Sequence, residues 1–327
     1  MRILVTGGAG YVGSHAVKLL SERGHDVWVY DNLAEGHRQA VAAERLIVGD
    51  LLDRPKIEDE LCKHSIDAVM HFAAYAYVGE SVTDPAKYYQ NNIVGTLSLL
   101  DAMRTCDVKR IVFSSTCATY GNPLRLPLRE DHPQVPISPY GFTKLAIERA
   151  LADYSRAYGL GYAALRYFNA SGAASDGTIG EDHDPETHLI PIIFQVALGQ
   201  RSHVDIFGTD YPTSDGTCIR DYIHVDDLAT AHLAALEKLE PGMELILNLG
   251  TGKGASVREV IDACRAVSGR EIAVREVERR AGDPAELVAD ASAAREQLSW
   301  DPQFKSIRPI IESAWRWHSS HPRGYAK

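Results

Sequence analysis

A tyrosine and a lysine four positions apart form the pair in this sequence best suited to acid–base chemistry. Tyr140 and Lys144 fall in a stretch with helical periodicity, so both side chains project from one face of a predicted helix. A lysine ammonium beside a phenol stabilises the phenolate and moves the pKa of tyrosine from about 10 towards neutrality, where it can act as a base. Ser114, Ser115 and Thr116 end a predicted strand upstream, where a hydroxyl can bridge a substrate oxygen to Tyr140 or simply bond the strand end.

A glycine-rich turn near the start of the chain predicts a dinucleotide site. Gly7, Gly10 and Gly13 stand between a predicted strand and a predicted helix. Glycine permits a tight turn and close approach of a pyrophosphate, whose charge then lies at the positive end of the helix. Asp31, eighteen residues beyond Gly13, can accept hydrogen bonds from a ribose diol and would repel a 2′-phosphate, which favours NAD over NADP. Asp50 can similarly face the adenine, or it can be a turn residue.

Short apolar runs alternate with longer amphipathic stretches in the first half of the chain. The predicted strands are Ile3–Thr6, Val27–Tyr30, Leu46–Val48, Ala68–His71, Ile111–Ser114 and Tyr162–Arg166. The predicted helices are Val12–Arg23, Pro85–Cys106 and Pro139–Tyr158. This alternation predicts an α/β fold with a Rossmann-like, doubly wound parallel sheet.

The pattern changes after about Asn169. Asp176 to Thr187 and Gly208 to Thr217 are rich in loop-forming residues, whereas His224–Leu239 resembles a helix and Leu245–Leu249 a strand. We therefore expect an NAD-binding domain of residues 1–170 plus about 224–250. A smaller, interrupted α/β domain of about 171–223 plus 251–327 is expected to bind the substrate.

The composition argues against a nucleic-acid-binding, membrane-spanning or secreted protein. A formal charge of -10 argues against a basic groove for nucleic acid. No apolar run is long enough to cross a membrane, and because a predicted strand starts directly after Met1 we expect no signal peptide. The cysteines show no C-x-x-C pair or metal-like histidine spacing, so we expect reduced thiols, a cytoplasmic location and no metal. These cysteines are Cys62, Cys106, Cys117, Cys218 and Cys264.

Taken together, Thr6–Gly13, Ser114–Thr116 and Tyr140–Lys144 resemble the pattern of the extended short-chain dehydrogenase/reductases. Further stretches are similar to the UDP-glucose 4-epimerases within that family, and the similarity runs from Met1 to Tyr325. These stretches are Val78–Ser81, Tyr88–Asn92, Leu165–Asn169 and Asp210–Val225.

The resemblance implies a role for each matching residue. Tyr140 would be the base, Lys144 would hold the nicotinamide ribose and tune Tyr140, and Thr116 would relay the substrate proton. The positions expected to bind NAD are Gly7, Gly10, Tyr11, Val12, Gly13, Asp31, Asn32, Asp50, Leu51, Phe72, Ala73, Ala74, Asn91, Ser114, Tyr140, Lys144, Tyr167 and Phe168. Those expected to bind the UDP-sugar are Thr116, Tyr140, Asn169, His188, Leu189, Phe207, Arg220, Tyr222, Arg280, Asp283 and Leu287.

The implied activity is the interconversion of UDP-glucose and UDP-galactose through oxidation at C4, rotation of a 4-keto intermediate and re-reduction. The resemblance also implies a homodimer formed by the outer faces of Pro85–Cys106 and Pro139–Tyr158. Related dehydratases and decarboxylases carry an acidic residue directly after the hydroxyl, where this chain has Cys117 and Ala118. UDP-xylose/UDP-arabinose and UDP-N-acetylglucosamine stay open as substrates, and a non-enzymatic NAD-sensing protein would not need Tyr140 with Lys144.

Four positions depart from the family pattern. Thr116 stands where many members have serine, and Ala76 replaces a lysine that some relatives place near the pyrophosphate. His188 replaces an asparagine beside the sugar nucleotide. Leu287 occupies a pocket-wall position that is tyrosine in some members and a small residue in others. The last two changes bear on which sugar is accepted.

Overall fold

Strands and helices alternate along residues 1–280 and 282–325, which this computed structural model describes. The strands β1 to β13 are Arg2–Thr6, Asp26–Asp31, Leu46–Val48, Ala68–His71, Arg110–Thr116, Gly161–Tyr167, Asn169–Ser171, Val204–Phe207, Ile219–His224, Glu244–Leu249, Gly254–Ser256, Val274–Val277 and Glu286–Leu287. The helices α1 to α11 are Tyr11–Glu22, Arg54–Lys63, Val78–Thr83, Pro85–Tyr88, Gly95–Thr105, Pro139–Tyr158, Leu189–Ala197, Val225–Lys238, Val257–Ser268, Ser292–Leu298 and Ile307–Ser320.

Seven parallel strands form the main sheet, in the order β10-β6-β5-β4-β1-β2-β3. Neighbouring side chains of β1 point to opposite faces, and Ile3 and Leu4 accordingly belong to two different buried cores. Helices cover both faces, so these strands are largely apolar. The predicted Rossmann-like α/β fold is confirmed. Strand order reverses beside β1, and ligands bind at such a switch point, outside the carboxyl ends of the strands.

A second set of elements follows β6. Strand β9 pairs with β7, β11 and β13, and β8 pairs with β12. Helices α7, α9 and α11 enclose a third apolar core that includes Phe194, Val260 and Ile311. Strand β10 returns to the main sheet beside β6, and α8 contacts α1. The division into two interrupted domains stays a prediction.

The predicted helix Pro85–Cys106 is interrupted, although the other predicted elements of the first half lie within two residues of those observed. Tyr89–Val94 forms a π-helical segment between α4 and α5. Within it, the fully buried Asn92 accepts a hydrogen bond from the Tyr75 backbone at 2.9 Å and donates to Thr143 Oγ1 at 3.1 Å. The π-helical segment directs the Asn92 amide towards two other segments of the chain. Helical periodicity in the sequence carries no information about such tertiary contacts.

The prediction that all cysteines are reduced is wrong in this structure. Cys62 and Cys106 form a disulfide with their Cα atoms 5.4 Å apart. They are 44 residues apart in sequence, but α2 packs on α5 and brings them together. The cytoplasmic location loses the support of the cysteine pattern and stays a prediction. No helix in the described ranges is both long and apolar enough to cross a membrane.

Candidate active site

A cavity of about 1410 Å³ opens where β1, β4 and β5 end. Its walls include Gly7, Phe72 and Cys117, each of which directly follows one of those strands. Loops of the second half complete the wall. The predicted site residues that line it are Gly7, Gly10, Tyr11, Val12, Gly13, Asp31, Asn32, Leu51, Phe72, Ala73, Ala74, Asn91, Thr116, Tyr140, Tyr167, Phe168, Asn169, His188, Leu189, Phe207, Arg220, Tyr222, Arg280, Asp283 and Leu287.

The glycine turn joins β1 to α1 with no room for side chains. Gly7 has φ +71°, and a Cβ there would lie 2.4 Å from the Ala73 nitrogen. A Cβ on Gly13 would lie 2.2 Å from the Gly7 oxygen. Gly10 begins the helix without a side-chain cap, so the first turn of α1 presents backbone N–H groups that no capping side chain occupies. Such a helix start favours an anionic group.

Asp31 ends β2 and ties the glycine turn to the next loop. Its carboxylate accepts hydrogen bonds from the Ala9 nitrogen at 3.0 Å and from the Leu33 nitrogen at 2.8 Å. Burial raises its pKa, and these backbone hydrogen bonds act in the opposite direction. Each carboxylate oxygen retains a further acceptor position, which is what a ribose diol requires.

Three predicted cofactor residues do not line the cavity: Asp50, Ser114 and Lys144. Asp50 accepts hydrogen bonds from Asn32 Nδ2 at 3.0 Å and from the Leu52 nitrogen at 2.9 Å. These bonds hold Asp50 in the turn after β3, and its contact with the adenine stays a prediction. Ser114 and Lys144 lie behind the residues that form the cavity wall. Lys144 Nζ donates to the Ser114 main-chain oxygen at 2.8 Å.

The start of α6 places Tyr140 on the cavity wall. Ser138 caps the helix by accepting from the Gly141 nitrogen at 3.1 Å, and Pro139 occupies the first helical turn. A Cβ on Gly141 would lie 2.5 Å from the Ala118 oxygen, so the helix start lies directly against the segment after β5. Thr116, at the end of β5, borders the same cavity, and its hydroxyl acts to lower the pKa of Tyr140.

The electrostatics of this pair differ from the sequence expectation. Burial raises the pKa of Tyr140 above its usual value, while the hydrogen bond with Thr116 lowers it. Burial also lowers the pKa of Lys144 to about 7, and Glu148 opposes that shift. Lys144 Nζ lies 6.0 Å from the Tyr140 ring centroid. Burial therefore acts against the expected lowering of the Tyr140 pKa by Lys144, and that lowering stays a prediction.

The part of the cavity wall formed by the second half of the chain carries cationic side chains suited to a diphosphate. Arg220, on β9, forms an ion pair with Asp283 and donates to the Pro284 oxygen at 2.8 Å. The Arg280 guanidinium lies 4.4 Å from the Phe207 ring centroid. Planar guanidinium groups bind phosphate oxygens in pairs of hydrogen bonds.

Leu287 is both a wall residue and a packing residue. It pairs with Arg220 in the ladder between β13 and β9. Its side chain packs against a small cluster that contains Tyr120 and Phe168, and it also borders the cavity. Ala76 borders the cavity as well.

One group near the cavity escaped the sequence analysis. Glu181, His183 and Glu186 fall in a stretch interpreted only as a loop, yet they lie on the cavity wall with His188. His188 Nδ1 lies 2.6 Å from Glu181 Oε1. The repeated Glu-x-His spacing, Glu181 with His183 and Glu186 with His188, was a signal of this grouping.

Known proteins match this chain along its whole length. Residues 3–250 match the model of the NAD dependent epimerase/dehydratase family. A UDP-glucose 4-epimerase of Halalkalibacterium halodurans is 54% identical over 327 residues, covering 100% of this chain and 98% of that protein.

Solved structures are similar in fold and in sequence. A UDP-glucose 4-epimerase from Brucella ovis in complex with NAD has a TM-score of 0.93 and 52% identity, covering 96% of this chain and 97% of that one. A UDP-glucose-4-epimerase from Stenotrophomonas maltophila, with bound NAD and formylated UDP-arabinopyranose, has a TM-score of 0.94 and 41% identity. That match covers 99% of each chain.

Proposed function

The chain belongs to the NAD dependent epimerase/dehydratase family, and we propose that it is an isomerase that interconverts UDP-glucose and UDP-galactose. The observation that carries this proposal is the approach of Tyr140 and Thr116 on one wall of the cavity that also holds the glycine turn. The full-length relatives named UDP-glucose 4-epimerase support the same activity.

The residues around the glycine turn fit NAD. The uncapped start of α1 would receive the pyrophosphate, and Asp31 would accept the ribose hydroxyls. NAD would supply the acceptor and donor of the C4 hydride, and the charge of its oxidised nicotinamide would favour the Tyr140 phenolate.

Tyr140 and Thr116 would move the substrate proton. Tyr140 Oη takes the proton of the 4-hydroxyl as the C4–O bond becomes a carbonyl, and it returns the proton when the carbonyl is reduced. Thr116 Oγ1 lies in this hydrogen-bond path. Lys144 fixes the end of β5 through its bond to the Ser114 oxygen and thereby holds Thr116 in place.

The part of the cavity formed by the second half of the chain would hold UDP while the sugar turns. Arg220 and Arg280 would bind the diphosphate, and Leu287 would border the moving sugar. A nucleotide held through a diphosphate stays anchored while a 4-keto sugar, which has lost a hydroxyl hydrogen bond, can rotate. Effective positioning of this kind is the main contribution that the protein makes.

We also propose a homodimer. One helical face exposes four large apolar residues, and each of them is between 37% and 46% exposed. They are Tyr89, Val94, Leu97 and Phe142. The rings of Tyr89 and Phe142 lie 6.0 Å apart, and Val94 and Leu97 are three residues apart, which puts them on one side. Contiguous apolar surface of this kind marks interaction sites between proteins.

The activity is tested with purified protein and three substrates, UDP-galactose, UDP-xylose and UDP-N-acetylglucosamine, with products separated by chromatography. We expect UDP-galactose to be converted fastest, without added nucleotide, and NAD to be the nucleotide released on denaturation. Faster conversion of UDP-xylose or UDP-N-acetylglucosamine would replace the proposed sugar. Protein that releases NAD but converts none of the three would instead indicate a non-enzymatic NAD-binding role.

A further inference from the structure

Two glutamates and two histidines meet in the loop before α7. Glu181, His183, Glu186 and His188 each offer one ligand atom, and these four atoms lie within 4.8 Å of one another. The proton transfer derived above uses none of them. We propose that the four side chains form a binding site for one divalent cation of the zinc class. This site does not depend on the proposed epimerase activity.

Three histidine–carboxylate distances in the group, counting both oxygens of Glu186, are close to the ligand spacing of a zinc shell. His183 Nδ1 lies 3.4 Å from Glu181 Oε1 and 3.6 Å from Glu186 Oε2, and His188 Nδ1 lies 3.7 Å from Glu186 Oε1. Bonds of about 2.1 Å in a tetrahedron separate neighbouring ligands by about 3.4 Å. The remaining close pair, His188 Nδ1 and Glu181 Oε1 at 2.6 Å, is a hydrogen bond that the cation would replace.

Burial of the two carboxylates requires a positive partner. The side chains of Glu181 and Glu186 are only 4% and 3% exposed. Across the described ranges, the basic side chains within ion-pair distance of either one are His183 and His188, with no lysine or arginine. Buried charges are normally paired or coordinate metals. A divalent cation balances both carboxylates and lets both imidazoles be neutral ligands.

His183 gives independent support for a missing ligand. Its Nδ1 atom is buried and makes no hydrogen bond, although it points into the group. The rings of Tyr11 and Tyr77 pack edge-on against it, with centroids 6.2 Å and 6.0 Å away. His183 Nδ1 faces the two carboxylates at 3.4 Å and 3.6 Å without forming a hydrogen bond, so its lone pair is available to a cation placed between them.

The position of the site suggests what the cation does. His188 directly precedes α7, and Tyr11 belongs to the first turn of α1 after the glycine turn. A cation held by the loop would therefore tie the substrate side of the cavity to the cofactor side. The side chain of His188 is 46% exposed, so a molecule in the cavity can reach the His188 ligand of the proposed site.

Metal analysis and zinc titration test the site. The purified enzyme is stripped with a chelator, and Zn²⁺ is titrated in by calorimetry. We expect one Zn²⁺ per chain and a higher melting temperature for the zinc form. Glu186→Gln and His183→Asn should each weaken binding on the order of 100-fold. His64→Asn is the matched control, because His64 and Glu60 form a histidine–glutamate pair with their atoms 3.1 Å apart outside the four-ligand group.

A second measurement keeps the proposal testable if the variants fold poorly. Cobalt replaces zinc in the stripped wild-type enzyme, and X-ray absorption on the zinc form gives the ligands. We expect four-coordinate cobalt bands and nitrogen or oxygen ligands at about 2.0–2.2 Å, without sulfur. Failure of stripped wild-type enzyme to take up zinc overturns the site and leaves a protonated histidine–carboxylate group. Zinc binding through sulfur, or binding unchanged in both folded variants, overturns it equally.

Discussion

Arg166 and Glu148 form an ion pair with both side chains 3% exposed, and this pair joins β6 to α6. Arg166 Nε and one terminal nitrogen donate to the two Glu148 oxygens at 2.9 Å and 2.7 Å. Ser115 Oγ donates to the same carboxylate at 2.5 Å. Ser115 is next to Thr116, and Glu148 lies one turn beyond Lys144, so the pair fixes the two segments that carry the proposed proton path.

Glu148→Gln should destabilise the protein strongly. The substitution keeps the shape of the side chain but leaves the Arg166 charge buried without a counter-charge, which costs about 3–5 kcal/mol. Urea unfolding should give a midpoint far below that of wild type. Asp153→Asn is the control on the same helix, because it removes the exposed partner of Arg156 and should leave the midpoint unchanged. Equal midpoints for Glu148→Gln and wild type would mean that this ion pair does not stabilise the fold.

Tyr140→Phe should lower turnover by about 10²–10⁴-fold, because the phenyl ring remains while the titrating oxygen is lost. Binding of UDP should be nearly unchanged, since Arg220 and Arg280 are untouched. Steady-state kinetics and calorimetry measure the two effects separately. Tyr154→Phe removes another hydroxyl of α6, which donates to Asp101 at 2.8 Å, and should retain wild-type turnover. A Tyr140→Phe enzyme within a few-fold of wild type would assign the base to another group.

Lys144 should make stability rise with pH above neutrality. Burial lowers its folded-state pKa to about 7 from a usual value of 10.5, so the unfolded chain binds more protons between these pH values. The resulting penalty on folding is present in full below about pH 7 and is relieved as the pH rises towards the unfolded pKa. Urea midpoints should therefore increase between about pH 7 and about pH 9.

Lys144→Met should remove this contribution, so its midpoints should depend less on pH than those of wild type. Lys63→Met is the control, because the Lys63 side chain is 57% exposed on α2 and should not alter the pH dependence. Parallel curves for wild type and Lys144→Met would show that the lysine is not desolvated in the folded protein.

Val94→Asp should separate the proposed dimer. The side chain of Val94 belongs to the exposed helical face, and a carboxylate there would be desolvated and repelled by its symmetry mate. Light scattering should change from twice 35.9 kDa to 35.9 kDa. Leu124→Asp changes a residue that is 80% exposed outside this face and should leave the mass unaltered. Wild-type protein that is already monomeric at micromolar concentration would contradict the dimer.

Local patterns in the sequence reveal the chemistry better than they reveal tertiary partners. The glycine turn and the spacing from Tyr140 to Lys144 are encoded within one element or one turn, and both are visible without the fold. The pKa of Lys144 is different, because it depends on burial against β5. The same holds for Cys62 and Cys106, which meet only because two helices pack together.

The loop before α7 shows most clearly that local sequence patterns do not reveal which side chains meet in the fold. Its glycine, proline and aspartate content correctly indicates a loop, but loops are expected to be exposed. Glu181 and Glu186 are instead buried, and only the packing around them turns four scattered side chains into a group.

Leu287 should set the width of the sugar pocket. Its side chain borders the cavity, and leucine is smaller than tyrosine but larger than cysteine or serine. We expect good activity on UDP-glucose and UDP-galactose, with weak but measurable activity on N-acetylated substrates. Leu287→Tyr should abolish the weak activity while sparing the main one, because the added bulk excludes only the larger sugar. Steric discrimination of this kind amounts to about 1–3 kcal/mol per misfit group, or about 10–200-fold in kcat/KM.

The test compares kcat/KM for both sugar classes in wild type, Leu287→Tyr and the exposed control Leu124→Tyr. The control should match wild type on both sugars. Leu287 also packs against Tyr120 and Phe168, so a purely structural role would lower both activities by the same factor. An equal loss would assign Leu287 to packing alone, whereas a selective loss on the N-acetylated sugar requires that its side chain meet the substrate.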